Sequence, residues 1–170
     1  MLNNLLQKHQ FRLLKLLSLV SKRQTRTAMK KISLILEKKG RHVYSVTAAT
    51  SVFDALQVMM EKNISALLVM EKEELLGIFT ERDYARKLIL QGKSSKETMI
   101  GEIMTADLLT LSPNHTIDYC MEMMTDKKIR HLPVLENKYV IGMISIGDVV
   151  KFVIEDQKQT IQQLETYIAS

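Results

Sequence analysis

Apolar and polar positions along this chain form a pattern that is written twice. A short apolar stretch (Val43, Val46) leads to a hydroxyl, Ser51. Apolar residues then recur at Val52, Ala55, Leu56 and Met59, the spacing of one helical face. "SALLVM", from Ser65, predicts a buried strand, "EKEE" a polar turn, and "LLGIFT", from Leu75, a second strand. Ala85, Leu88 and Ile89 continue at helical spacing. The second passage uses Leu108 and Leu111, then Thr116, then Ile117, Cys120, Met121 and Met124. "RHLPVL", "ENKY" and "VIGMIS" follow, and then Val149, Val150, Val153 and Ile154. Ser51 and Thr116 are side chains suited to cap the helices they precede.

The two passages align without a gap at an offset of 65 residues. Ile64 falls on Ile129, Val69 on Val134, Gly77 on Gly142 and Asp83 on Asp148. Two copies do not make a solenoid, which needs three or more. Each copy reads strand–helix–strand–strand–helix, and one such unit buries too little apolar surface alone. The expected fold is therefore α+β: two pseudo-symmetric units packed sheet to sheet, preceded by an N-terminal amphipathic helix. The expected divisions are an extension (1–31), the first unit (32–90), a linker (91–99), the second unit (100–155) and a helical tail (156–170). "ISLILEKKG" and "IGEIMT" read as the lead-ins to their own units.

The ends of the units carry the candidate chemistry. "GIFTERD" (77–83) and "GMISIGD" (142–148) each place a glycine in a strand, a hydroxyl at its end and an acid in the next helical turn. A strand glycine marks a bulge or a close backbone approach. A hydroxyl, free helix-terminal amides and an acid could together hold a phosphate and a ribose diol. They could equally do no more than cap helices; duplication repeats caps and sites alike.

With "ISALLVME" before the first motif and "IRHLPVLE" before the second, the chain resembles a tandem pair of cystathionine-beta-synthase (CBS) domains, a Bateman module, over about residues 32–155. "TERDYARKLILQGKSSKETMIGEIMT" is similar to small stand-alone CBS-pair proteins of bacteria and organelles. The resemblance implies clefts between the paired sheets that bind adenine nucleotides or adenosyl compounds. Carried over, one cleft combines Thr80, Arg82 and Asp83 with Thr110, Ser112, Arg130 and His131. The other combines Ser145 and Asp148 with Ser45, Thr47, Ser65 and Ala66. Arg82 and Arg130, joined by Arg86, suit phosphate. Gly147, Ser65 and Ala66 stand at the positions of Arg82, Arg130 and His131 in the other cleft, which is expected to bind adenosine-like groups, to bind more weakly, or to accept the nucleoside part of a longer ligand. Replacing Asp83 is expected to weaken nucleotide binding about 10- to 100-fold.

Composition narrows the functional classes. Residues 1–36 hold eight Lys/Arg and no acid, leaving 16 bases against 19 acids in the rest. The basic pI belongs to the extension, so it gives the body no nucleic-acid footprint. One cysteine, Cys120, excludes an internal disulfide and a cysteine zinc cluster, and its apolar helix face suits a buried small residue. Gly92-Lys93-Ser94 imitates the end of a phosphate-binding P-loop, but Lys87 stands where that loop needs glycine. No catalytic or metal-binding constellation is legible, and His131 is the one candidate base.

The extension places Leu2, Leu5, Leu6, Leu13, Leu16, Leu17 and Val20 on one face, with Lys8, Lys15 and Lys22 off it. It is too interrupted to span a membrane. An anionic membrane surface, an organellar presequence, a partner surface and a start at Met29 all remain open for it. The leading expectation is a cytoplasmic, non-catalytic regulatory module that binds AMP, ADP, ATP or NADH. No resident cofactor is expected; the nucleotide is the regulatory ligand. The expected partners are a second copy in a homodimer and a separate effector protein, with no nucleic acid and with peripheral membrane contact by residues 1–28 as an option. The alternatives are a structural adaptor with vestigial clefts and a nucleotide-acting enzyme that uses His131.

Overall fold

The computed structural model describes residues 30–169. The readings of residues 1–28 and of a start at Met29 lie outside the described residues. Helix α1 (Ile32–Lys39) opens the described chain, followed by β1 (Ser45–Val46), α2 (Val52–Lys62), β2 (Ala66–Glu71) and β3 (Glu74–Thr80). A short α3 (Glu81–Asp83), a π-turn (Tyr84–Leu88) and a 3-10 turn (Ile89–Gln91) complete the first passage. The second comprises α4 (Ile100–Ile103), α5 (Ile117–Asp126), β4 (His131–Glu136), β5 (Tyr139–Ser145) and α6 (Ile146–Ala169).

Local chemistry sets most boundaries. Ser51 accepts from the Asp54 amide and Thr116 from the Tyr119 amide, so both expected caps form. Strand β2 pairs parallel with β1 and antiparallel with β3; β4 pairs antiparallel with β5. The lead-in strand expected in the second passage shrinks to a single parallel bridge, Leu111 to Val134. Both hairpins shift register at equivalent places, Val69/Met70 and Val134/Leu135.

Strand alternation gives each apolar residue of β2 a destination. Leu67 and Val69 face the first helical core, whereas Ala66 and Leu68 join Ile78 in a separate cluster. That cluster includes Val140 and Met143 from β5, which is the packing of one sheet on the other. The first core also takes Ile100 and Ile103, and the second takes Ile32, Ile35 and Leu36. The lead-ins therefore cross: α1 closes the second unit and α4 closes the first. The sequence expectation placed each lead-in at the head of the unit it precedes; in packing, each covers the core of the other half. Each lead-in carries an apolar face whose nearest uncovered core belongs to the other half.

The repeated glycines are where these crossing segments pass. A Cβ on Gly77 would lie 2.7 Å from Met104 Sδ and 2.9 Å from the Thr105 carbonyl oxygen. One on Gly142 would lie 2.6 Å from a Leu36 methyl. Beside Gly77, Ile78 and Thr105 exchange two backbone hydrogen bonds, of 3.0 and 2.9 Å.

The two closing helices differ. Where α6 buries Phe152, the aligned residue is Lys87, which a core rejects. The π-turn shifts the helical phase by one residue, so Leu88 enters the core and Lys87 moves to its edge. The expected tail, 156–170, is no separate element: up to Ala169 it continues α6, whose buried residues end at Phe152. The segment 91–99 is likewise held down, with Ser95 and Thr98 carbonyls accepting from the first amides of α2.

Candidate functional site

Strand register builds the site. It sets Thr80 opposite Ala66 and Ser145 opposite His131, so each motif hydroxyl lies beside the first residue of its partner strand. Two adjoining chambers open there, between the units.

The larger has a volume of about 660 Å³. Leu56, Met59, Met60, Ile64, Ala66 and Met143 give it apolar walls; Lys39, Asn63, Ser145 and Asp148 give it polar ones. The smaller has about 220 Å³ and is lined by Thr80, Arg82, Asp83, Thr105, Arg130 and flanking apolar residues. Ser65, Glu81 and His131 line both. The common wall is tied by a contact of 3.4 Å between Ser65 Oγ and His131 Nε2.

The two acids are held differently. Asp83 is buried. Its Oδ2 accepts from the Thr80 amide at 3.0 Å and the Thr80 hydroxyl at 2.6 Å. Its Oδ1 accepts from the Thr105 hydroxyl at 3.0 Å and pairs with Lys87 Nζ at 2.7 Å. Lys87 also donates to the Ile103 and Met104 carbonyls. Every acceptor position of Asp83 is thus engaged, and the residue pins the crossing segment to the first unit.

Asp148 uses one oxygen for everything. Its Oδ2 accepts from the Ser145 amide at 2.8 Å, the Ser145 hydroxyl at 2.7 Å and Lys39 Nζ at 2.6 Å. Its Oδ1 has no hydrogen-bond donor among the described residues, and the residue lines the larger chamber. Burial is the largest single influence on this carboxyl and pushes it up. The Lys39 ammonium and the two Ser145 donors outweigh burial and hold it below its ordinary value. Burial also lowers His131, reinforced by Lys39 and Arg130 and opposed by Asp148, so its ring is neutral at neutral pH.

Of the residues expected in the clefts, Thr80, Arg82, Asp83, Arg130 and His131 line the smaller chamber and Ser65, Ala66, Ser145 and Asp148 the larger. His131 and Ser65, assigned to opposite clefts, touch. Thr110, Ser112, Ser45 and Thr47 line neither of these two chambers. Ser45 is exposed on the two-residue β1, and Thr47 bonds Thr50 in the turn before α2. Ser112 bonds His115 and Asn114 in the turn before α5. Arg86 is exposed outside both chambers. Arg82 donates to the Lys128 carbonyl at 2.6 Å.

Sequence reasoning missed Lys39, Thr105 and Lys87 as site residues. Lys87, four residues beyond Asp83, had a signal in that helical spacing. Lys39 had none, because it lies 109 residues from Asp148 and reaches it through the crossing of α1. Cys120 is fully buried, and burial pushes its thiol up to about 11, which leaves it protonated at neutral pH.

Comparison with known proteins follows the same lines. Residues 39–90 and 100–155 each match the CBS domain family. The chain is 42% identical over 146 residues to the mitochondrial CBS domain-containing protein CBSX3 of Arabidopsis thaliana, covering 81% of this chain and 71% of that protein. A solved protein with CBS domains from Burkholderia ambifaria is 50% identical, with a TM-score of 0.73, over 75% of this chain and 96% of that one. The CBS domain pair of protein MJ0100, solved with 5′-methylthioadenosine and S-adenosyl-L-methionine, is 25% identical. Its TM-score is 0.65, over 73% of this chain and 99% of that one. No described helix is long and apolar enough to cross a membrane.

Proposed function

This chain belongs to the CBS domain family, and from that premise we propose that it is a regulatory module binding an adenosine-containing ligand in the Asp148 chamber. One observation carries the reading: a chamber of nucleotide size whose half-buried acid, Asp148, keeps an acceptor oxygen unengaged. About 660 Å³ lies within the roughly 300–1,000 Å³ of small-molecule sites, and its walls divide about evenly between apolar side chains and polar groups. Asp148 Oδ1 accepts a ribose hydroxyl, Ser145 and Asn63 supply further polar contacts, and the methionine-rich wall takes the adenine face. The adenosyl ligands of the solved CBS pair support the ligand class.

The module does no chemistry of its own. Neutral His131 meets Ser65 across the common wall, where it shapes the site. No resident cofactor is required. Exposed apolar residues on α2, α5 and α6, among them Phe53, Tyr119, Met121 and Val150, support a homodimer through these helices. A ligand with different affinity for two arrangements of the units passes the signal to a separate effector protein. Whether the chain works in the cytoplasm or in an organelle, as its plant relative's name states for that protein, is decided by fractionation of the native source.

A second reading, a structural adaptor, draws on the Asp83 cleft, whose acid is wholly spent on the fold. Differential scanning fluorimetry with adenosine, AMP, ATP, S-adenosylmethionine and NADH separates the two. The regulatory reading requires stabilisation by at least one of them, about 2.7 kcal/mol at a hundredfold excess over Kd. No shift with any of them favours the adaptor.

A further inference from the structure

We infer that the part of α6 beyond Asp156 is a docking surface for residues 1–28 of the same chain, whose leucine face lies along it. This contact is independent of any ligand in the clefts and follows from how α1 and α6 meet.

Helix α6 outruns the body it belongs to. Its buried residues end at Phe152, yet it continues to Ala169. Residues 157–169 extend about 20 Å at a helical rise of about 1.5 Å per residue. Ile161, Leu164 and Ile168 fall on one face of that stretch; both isoleucines are exposed and the leucine is half-buried. Lys158 and Glu165 are the only charged residues there, so the stripe suits an apolar partner. Helix α1 brings the chain to this place. It lies along α6: Lys39 pairs with Asp148 at 2.6 Å, Lys38 with Glu155 at 3.2 Å, and Lys30 with Asp156. Lys30 and Lys38 also lie over the Phe152 ring. Residue 30 is fixed from a second side, since its carbonyl accepts from the Ile117 amide at 2.8 Å. The segment that precedes it is therefore tethered where α6 leaves the body.

Residues 1–28 lie outside the described residues, and their sequence supplies the matching half. Leu6, Leu13, Leu17 and Val20 recur at the spacing of one helical face, a length of about 20 Å in that form. The largely polar run "SKRQTRTAM", 21–29, reaches about 30 Å when extended, ample to bring that face back against α6. A tether this short gives an effective concentration on the order of mM, which favours α6 of the same chain over that of a second copy in dilute solution.

Hydrogen exchange of the full chain, read by mass spectrometry, tests the contact. Amides of residues 5–20 should exchange about 10-fold more slowly in the wild type than in Ile161→Asp/Ile168→Asp, although that variant leaves the extension unaltered. Leu13→Asp/Leu17→Asp should in turn release residues 157–169 without any change in α6. Ile161→Leu/Ile168→Leu should keep the protection. Both isoleucines are exposed, and far-UV circular dichroism confirms that the variants fold. Dilution by about a hundredfold should leave the protection of 5–20 unchanged, as a contact within one chain requires. Equal exchange at 5–20 in the wild type and in Ile161→Asp/Ile168→Asp would overturn the inference. So would protection that arises only on vesicles containing phosphatidylserine, which would assign the leucines to a membrane. Protection that fades on dilution would put a second copy on α6 and overturn it as well. None of these outcomes bears on nucleotide binding in the clefts.

Discussion

Asp83 and Asp148 occupy equivalent places in the repeat, yet their conversion to asparagine should do opposite things. Asp83 is 8% exposed and its carboxylate holds four partners at 2.6–3.0 Å. Removing the charge leaves Lys87 unpaired beside two carbonyls it already serves. Breaking a buried ion pair costs about 3–5 kcal/mol, but the Lys87 side chain is 38% exposed, so solvent recovers part of this. About 2–3 kcal/mol of lost stability is the expected figure for Asp83→Asn. Adenosine affinity should change by less than about threefold, since none of the four contacts faces the larger chamber. Asp148→Asn should cost less stability, because an amide oxygen still accepts from Ser145. It should, however, lose the charged acceptor offered to a ligand, worth about 1.5–3 kcal/mol, or about 10- to 150-fold in affinity. Urea unfolding followed by far-UV circular dichroism reads the first quantity and titration calorimetry the second. If Asp83→Asn, at concentrations where it is folded, weakened adenosine binding as much as Asp148→Asn, the division into a structural and a binding acid would be wrong. That division replaces the expectation, drawn from family resemblance, that Asp83 leads in binding.

Two further outcomes follow from the geometry. Alanine at Gly142 meets the end of a flexible leucine and should cost about 1 kcal/mol, whereas alanine at Gly77 meets a backbone carbonyl and should cost about 2–3 kcal/mol. Denaturant midpoints decide, and the reverse order would contradict the crossing-segment packing. The pH dependence has a definite sign: His131 binds its proton more weakly folded than unfolded, so its contribution is complete above 6.5 and is lost as pH falls from there through its lowered value. Asp148 adds a second loss below 3.8. Urea midpoints between pH 7 and 5 should fall for the wild type and fall less for His131→Asn.

How much of this was legible depends on whether the deciding contact is local. The strands and their turns were readable because alternation and unbroken apolar runs report burial on one or both faces. Ser51 and Thr116 were readable because a cap acts over three residues. The strand glycines announced a close approach without saying to what. The crossing of α1 and α4 was not legible, since an apolar face records that it is covered and not by which unit. The same limit hid Lys39. At the offset of 65 it aligns with Met104, and Lys87 aligns with Phe152, so the repeat itself conceals that each acid found its cation in a different place. The hydroxyls at 47 and 112 were not separable by sequence, because a hydroxyl in a turn looks the same whether it meets a ligand or its own backbone.

The crossed lead-ins make this chain resistant to subdivision. A cut near residue 95 would give two pieces that each keep the other's plug: 30–95 carries Ile32, Ile35 and Leu36, while 96–169 carries Ile100 and Ile103. Neither piece could shelter its own interior, and each would hold what its counterpart needs. Co-produced halves should find one another and restore ligand binding, which makes the native topology a ready split reporter.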